Sequence, residues 1–130
     1  MGRPMTISRR QARRQALFLL YQWDLSAQEI GSQYAGEIDP WARGVAEAVA
    51  KHAPELDERI TAASEGWTAD RLGAVERSAL RVAVHELTTH EVPAEVAINE
   101  AVAFTKRYAS DDGARLVNGI LGRIQREEAA

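Results

Sequence analysis

The stretch Ser8-Arg9-Arg10-Gln11-Ala12-Arg13-Arg14-Gln15-Ala16-Leu17-Phe18-Leu19-Leu20-Tyr21-Gln22-Trp23 decides how the rest of the chain is read. Ser8 and Gln11 have the spacing of a capping box, in which each side chain serves the other residue's backbone N–H, so a helix starts near Ser8. Ala12, Ala16, Leu19, Leu20 and Trp23 then recur at intervals of three and four, which makes one buried stripe. Arg10 and Arg14 are four apart, as are Arg9 and Arg13, and all four are expected outside the Ala12 and Ala16 stripe. Like charges at that spacing repel on an isolated helix. No acid precedes Asp24, so nothing nearby in sequence relieves the repulsion. Phosphate would relieve it, and guanidinium groups fork onto phosphate oxygens and stack on bases in a way that lysine does not. Tyr21 lies two turns past Arg14. It suits a stacking face for an unpaired base and suits the rim of the core equally well on spacing alone.

Working outward, the helix should fray after Leu25, and the segment through Gly31 and Gly36 reads as a loop. Asp39-Pro40 pairs an N-cap with proline at the first helical position, with Val45, Ala48 and Val49 inward. Pro54 restarts the chain after His52, Leu56 and Ile60 carry a third helix, and Gly66 is expected to end it. Trp67 and Leu72 flank a short turn. A long helix follows from about Ala74 to Thr88, with Val75, Leu80, Ala83, Val84 and Leu87 inward. Pro93 breaks the chain, and Val96 to Tyr108 reads as the next helix. Asp111 or Asp112 should cap the last helix, whose apolar stripe is Val117, Ile120, Leu121 and Ile124. Gly119 and Gly122 within it predict close helix packing. Strand signals are weak throughout. The expected fold is therefore all-α, with six or seven helices packed as two small helical sub-bundles around one core.

The 130 residues fit one domain of common size, and 45% are apolar, enough for a core. No segment approaches the roughly 20 apolar residues that cross a bilayer. Leu17 to Tyr21 is shorter than the roughly 7 to 15 residues of a signal-peptide core. The absence of cysteine rules out disulfides and thiolate metal sites and agrees with a cytoplasmic location. Net charge is −3, yet five of the 16 basic residues (Arg3, Arg9, Arg10, Arg13 and Arg14) precede the first acid, and the remainder is strongly acidic. A chain polarised in this way can bind an anion at one end while the rest stays acidic.

The usual enzymatic patterns fail on inspection. His85-Glu86 and His90 resemble a zinc-protease helix, but the spacing of five turns the second histidine roughly 140° from the first, so the two cannot share a metal. Asp111-Asp112 lacks further oxygen ligands at loop spacing. There is no Gly-rich phosphate loop and no nucleophile beside a base. No catalytic residue, cofactor or metal is expected.

Several blocks resemble the NusB family of transcription antitermination factors. They are Arg9-Arg10-Gln11-Ala12-Arg13 with Leu20-Tyr21-Gln22-Trp23, Arg71-Leu72-Gly73-Ala74-Val75-Glu76-Arg77, Leu80 through Leu87, Val92-Pro93-Ala94-Glu95-Val96-Ala97-Ile98-Asn99-Glu100-Ala101-Val102, and Leu116-Val117-Asn118-Gly119-Ile120-Leu121. They span nearly the whole chain in the family's order, and the Ala97–Ala101 and Val117–Gly119 blocks are not demanded by composition. The resemblance implies one helical RNA-binding domain over residues 1–130. It implies binding of boxA-type single-stranded RNA in ribosomal RNA transcripts, as a heterodimer with the ribosomal protein NusE, within an RNA polymerase antitermination complex. It places RNA contacts at Arg9, Arg10, Arg13, Arg14, Tyr21, Tyr108 and Asp112, and partner contacts at Glu76 and Tyr21. The chain departs from the family where Ala94 and Glu95 replace a frequent aromatic and lysine, and where Leu116 replaces a frequent aromatic. Two other readings keep the fold. One is an interaction module that homodimerises or binds only protein. The other is the RNA-binding domain of the kind that precedes the catalytic domain of some RNA cytosine methyltransferases.

Overall fold

Ser8 starts the first helix as its spacing predicts. Its hydroxyl accepts the Gln11 N–H at 3.1 Å, and the Gln11 side chain accepts the Ser8 N–H at 2.9 Å. In the computed structural model, which describes residues 7–129, this cap opens α1 (Arg9–Ser26). Arg3 lies outside the described residues. Asp39 caps α2 (Pro40–Lys51), and its carboxylate accepts the Ala42 N–H at 3.0 Å. Helix α3 (Ala53–Ala63) carries Pro54 in its first turn, where a missing N–H costs nothing. It stops three residues before Gly66, which serves the following turn in a left-handed conformation (φ 83°). A single 3₁₀ turn (Ala69–Arg71) leads into α4 (Ala74–Thr89). Helix α5 (Ala94–Tyr108) begins directly after Pro93, two residues earlier than apolar spacing alone indicates. Helix α6 spans Asp111–Ala129.

Two details of the last helix differ from expectation. Ser110, rather than Asp111 or Asp112, provides the capping oxygen, accepting the Gly113 N–H at 2.9 Å. The two aspartates occupy the first turn, where their charge still meets the positive end of the helix dipole. Gly119 and Gly122 do not mediate close packing. A Cβ at Gly119 would meet nothing within 4 Å, and one at Gly122 would meet only the Arg126 guanidinium.

The described residues are all helix, turn and loop. Helices α1–α3 and α4–α6 form two sub-bundles, and α4 packs against all five other helices. Leu19, Leu20, Ile60, Val84, Leu80, Leu121 and Ile124 are fully buried in one continuous apolar cluster. No described helix is long and apolar enough to cross a membrane.

Two polar clamps join the sub-bundles inside this apolar frame. In the first, Arg77 Nε and Nη2 donate to Asp24 at 3.0 and 2.5 Å, and Arg81 Nη1 donates to the same carboxylate at 2.9 Å. Arg81 also forks onto Asp57 at 2.8 and 2.7 Å, so α1, α3 and α4 meet at one charge network. Burial alone would raise the Asp24 pKa, but the Arg77 and Arg81 guanidinium groups outweigh it and hold the carboxyl below its ordinary value. A depressed carboxylate gives stability that is present above its unfolded pKa, about 3.9, and is lost as pH falls through the folded value. The stability gap between the parent and Asp24→Asn should therefore be wide at pH 7 and narrow toward pH 2. Urea midpoints at the two pH values measure it, and a gap of constant width would show that Asp24 titrates normally. The second clamp is Arg13 with Glu86, described with the site it borders.

Candidate nucleic-acid interface

The four arginines of α1 do not share one environment. Arg10 and Arg14 are exposed and line a cleft of about 250 Å³ between α1 and α5. Its opposite wall carries Arg107, Tyr108, Phe104 and Glu100. Arg10 reaches Glu100 at 3.1 Å, but its side chain remains 68% exposed. Such a surface pair is weak and exchanges readily for a phosphate. Arg14 and Arg107 have no ion-pair partner among the described residues, so, apart from Arg13, which also lines the cleft but is paired with Glu86, the cleft holds three guanidinium groups against the Glu100 carboxylate.

An aromatic cluster backs the cleft. Phe18, Phe104 and Tyr108 stack edge to face or tilted, with centroids 5.5, 5.0 and 4.9 Å apart, the arrangement that the ring quadrupoles favour. Tyr108 stays 38% exposed, and the Arg107 guanidinium lies 5.4 Å from its ring centre. The cleft therefore combines forked donors for phosphate oxygens with an accessible π-face for a base. Tyr21 is half-buried one turn beyond Leu17 and Phe18, which places it on the cleft side of α1.

Arg13 corrects the expectation that all four arginines face solvent. It is 4% exposed and ion-paired to Glu86, itself 2% exposed. Arg13 Nε donates to both carboxylate oxygens at 3.1 and 3.0 Å, and Nη2 lies 3.0 Å from Oε2. Burial pushes the Glu86 carboxyl up, and the adjacent Arg13 only partly offsets it. Arg13 thus turns its Nε–Nη2 edge onto Glu86, and little of the side chain is left exposed to a phosphate. The expectation of uncompensated charge is corrected as well, because Glu86 of α4 and Glu100 of α5 supply the acids that the first turns of α1 lack. Arg9 is exposed and rests on the Trp41 ring, with its Cζ 4.1 Å from the ring centre.

Asp112 and Glu76 lie beside the C-terminal end of α5, around its turn into α6. Asp112 is exposed and ion-paired to Arg115. Glu76 is half-buried, and its carboxylate folds back over Gly73 and reaches Gly113. A Cβ at Gly113 would stand 2.8 Å from Glu76 Oε1 and 3.2 Å from both Ser110 Oγ and Thr105 Cγ2, so a larger residue would have to displace the Glu76 carboxylate. The carboxylate consequently faces the N-termini of α4 and α6 together. Glu76→Lys would place a cation against two positive helix ends, and should lower stability by about 1 kcal/mol or more, whereas Glu76→Gln should lose less. Thermal melts of the two variants test this, and equal melting temperatures would remove the electrostatic argument.

Sequence reasoning missed Arg107, Glu100, Trp41 and Glu86. Nothing in local spacing brings α5 or α2 against α1, so Arg107, Glu100 and Trp41 carried no signal. Glu86 did carry one, since it follows Ala79, Val82 and Ala83 at buried-face intervals. Among the described residues, no group of three or more histidine or acidic side chains is placed to hold a metal. His85 is half-buried, and His90 is exposed as the left-handed C-cap of α4.

Known proteins resemble this chain in sequence and in fold. The NusB family model matches residues 10–126. The transcription antitermination protein NusB of Salinispora arenicola (strain CNS-205) is 40% identical over 128 residues, covering 90% of this chain and 94% of that protein. The protein of the same name from Solibacter usitatus (strain Ellin6076) is 34% identical, covering 92% and 90%. Among solved structures, T. maritima NusB superposes with a TM-score of 0.83 at 30% identity, covering 95% of this chain and 94% of that one. A crystal structure of antitermination factors NusB and NusE in complex with dsRNA gives a TM-score of 0.79 at 28% identity, covering 92% and 96%. The chain belongs to the NusB family.

Proposed function

We propose that this protein is a transcription antitermination factor that binds RNA in the α1–α5 cleft, and a binding protein rather than an enzyme. Its target is boxA-type single-stranded RNA in ribosomal RNA transcripts, bound jointly with the ribosomal protein NusE within a cytoplasmic RNA polymerase antitermination complex. The whole chain, 1–130, acts as one RNA-binding domain. The observation that carries this reading is the cleft itself. Arg10, Arg14 and Arg107 converge on a space bounded by the accessible Tyr108 ring, on a chain whose net charge is −3. A basic cleft on an acidic protein selects a polyanion by position rather than by overall charge. Single-stranded RNA fits because its phosphates and unpaired bases can use both kinds of group in the cleft. Arg9 and Tyr21 extend the surface along α1, and Asp112 continues it at the α5–α6 turn. Glu76 and Tyr21 are assigned to the NusE side. The relatives' shared name supports the antitermination role, and the solved complex of NusB and NusE with dsRNA supports RNA and NusE as partners.

Titration of a boxA-type RNA, alone and with NusE, tests the proposal against a scrambled single strand and a duplex. Affinity should fall steeply as salt rises, and NusE should tighten binding to the boxA strand more than to the scrambled one. Equal, salt-insensitive binding to all three RNAs would refute it.

A further inference from the structure

We propose that Trp41 is a positioning residue for RNA recognition, holding the Arg9 guanidinium ready at the edge of the arginine surface. The proposal rests on the RNA-binding reading above. Arg9 is exposed, and no carboxylate pairs with it among the described residues, whereas Arg10 and Arg13 are engaged by Glu100 and Glu86. Instead, its Cζ lies 4.1 Å from the centre of the Trp41 ring, with the clamped Arg13 Cζ 5.9 Å from the same ring. Stacking uses the flat face of a guanidinium and leaves its N–H edges free, and those edges are what fork onto phosphate.

The ring is held firmly. Trp41 is half-buried against the core in the first turn of α2. That turn is capped by Asp39 and tied back to α1 by buried Gln15, whose Oε1 accepts the Asp39 N–H at 2.7 Å while its Nε2 donates to the Glu37 carbonyl at 3.0 Å. The platform under Arg9 thus stands on α2 but is anchored by a side chain of α1, the helix that carries Arg9. A free arginine gives up much of its rotamer freedom when it grips a phosphate, whereas one already stacked has less to lose. The Trp41 ring also stabilises positive charge where Arg9 and Arg13, four residues apart, repel each other.

The experiment compares Trp41→Phe, Trp41→Leu, Arg9→Ala and the Trp41→Leu/Arg9→Ala double variant in binding a boxA-type single-stranded RNA across a salt series, with melting temperatures measured in parallel. Leucine fills the apolar space but offers no π-face, so a purely structural Trp41 would make the Leu and Phe variants bind alike. We expect Trp41→Leu to bind about threefold to tenfold more weakly with a flatter salt dependence, and Trp41→Phe to stay near the parent. The double variant should be no weaker than Arg9→Ala, because Trp41 acts through Arg9. Parent-like binding by Trp41→Leu overturns the proposal. Additive losses in the double variant overturn it too, since they would mean that Trp41 contacts RNA itself. Arg10→Ala/Arg14→Ala is the reference. If that variant binds as tightly as the parent, the RNA-binding reading itself fails. If it weakens while Trp41→Leu does not, only the role of Trp41 is lost.

Discussion

Arg13→Ala should destabilise the protein by about 3–5 kcal/mol, the usual effect of removing one partner from a buried ion pair. Glu86 would remain in the interior with its charge uncompensated. The effect should depend on pH with a definite sign. Burial already raises the Glu86 pKa in the parent, with Arg13 pulling it back. A raised carboxyl pKa gives a share of stability that is fully present below the unfolded value, about 4.3, and is lost as pH rises through the folded value. Without Arg13 the folded value rises further, so the deficit of Arg13→Ala should be larger at pH 8 than at pH 5, where Glu86 takes up a proton. Arg13→Met/Glu86→Leu removes both charges and fills the space. It should recover most of the loss, because the pair itself contributes little net stability over well-packed apolar groups. Urea denaturation of the parent and the two variants at both pH values checks this. A single mutant as stable as the parent, or a deficit that shrinks as pH rises, would count against a buried, charged pair.

The Arg13 clamp also shows what the sequence could and could not reveal. Helix boundaries were legible wherever a local interaction sets them. The Ser8–Gln11 box and the Asp39-Pro40 cap depend only on residues three apart, and both occur as expected. The start of α6 was misread because Ser110 and the following aspartates are all competent caps, and only backbone geometry selects Ser110. The arginines were harder. A simple charge count groups Arg9, Arg10, Arg13 and Arg14 together. Helical arithmetic separates them, since Arg13 lies three before Ala16, four before Leu17 and seven before Leu20, on the buried side. Glu86 lies seven after Ala79 and four after Val82. A charged residue on each of two apolar stripes signals a buried pair, and nothing else in the sequence pointed to it. The pairing spans 73 residues, so no local rule could supply it. The cleft partners Arg107 and Glu100 depend on how α5 docks against α1, which is a property of the whole core. Gly119 was misread for a related reason, since a small residue in an amphipathic pattern suits close packing and open surface equally.

Arg10→Ala/Arg14→Ala should lose RNA affinity while keeping the fold, the reverse of Arg13→Ala. Both side chains are exposed, and the only ion pair removed among the described residues is the surface contact of Arg10 with Glu100, worth roughly 0–1 kcal/mol. Removing two like charges four residues apart even favours the helix slightly. Melting temperature should therefore stay close to the parent's. RNA binding should weaken on the order of tenfold to a hundredfold at low salt, because two charge-assisted contacts are lost. The slope of log affinity against log salt should flatten by about 1.4 if each arginine neutralises one phosphate of a single strand. The affinity loss should shrink as salt rises, since the lost free energy is largely counterion release. Glu100 makes the argument sharper. In the parent, its carboxylate competes with phosphate for Arg10. Glu100→Gln should consequently tighten RNA binding at low salt, and in the double variant Glu100 loses its Arg10 partner and stands as an unpaired carboxylate in the cleft, which deepens the loss. Fluorescence anisotropy across a salt series, with circular dichroism melts on the same samples, measures all of these quantities. If the double variant binds as tightly as the parent at every salt concentration, the cleft is not where RNA is held. If it binds weakly but also melts far below the parent, the arginines are structural and the separation from Arg13 collapses.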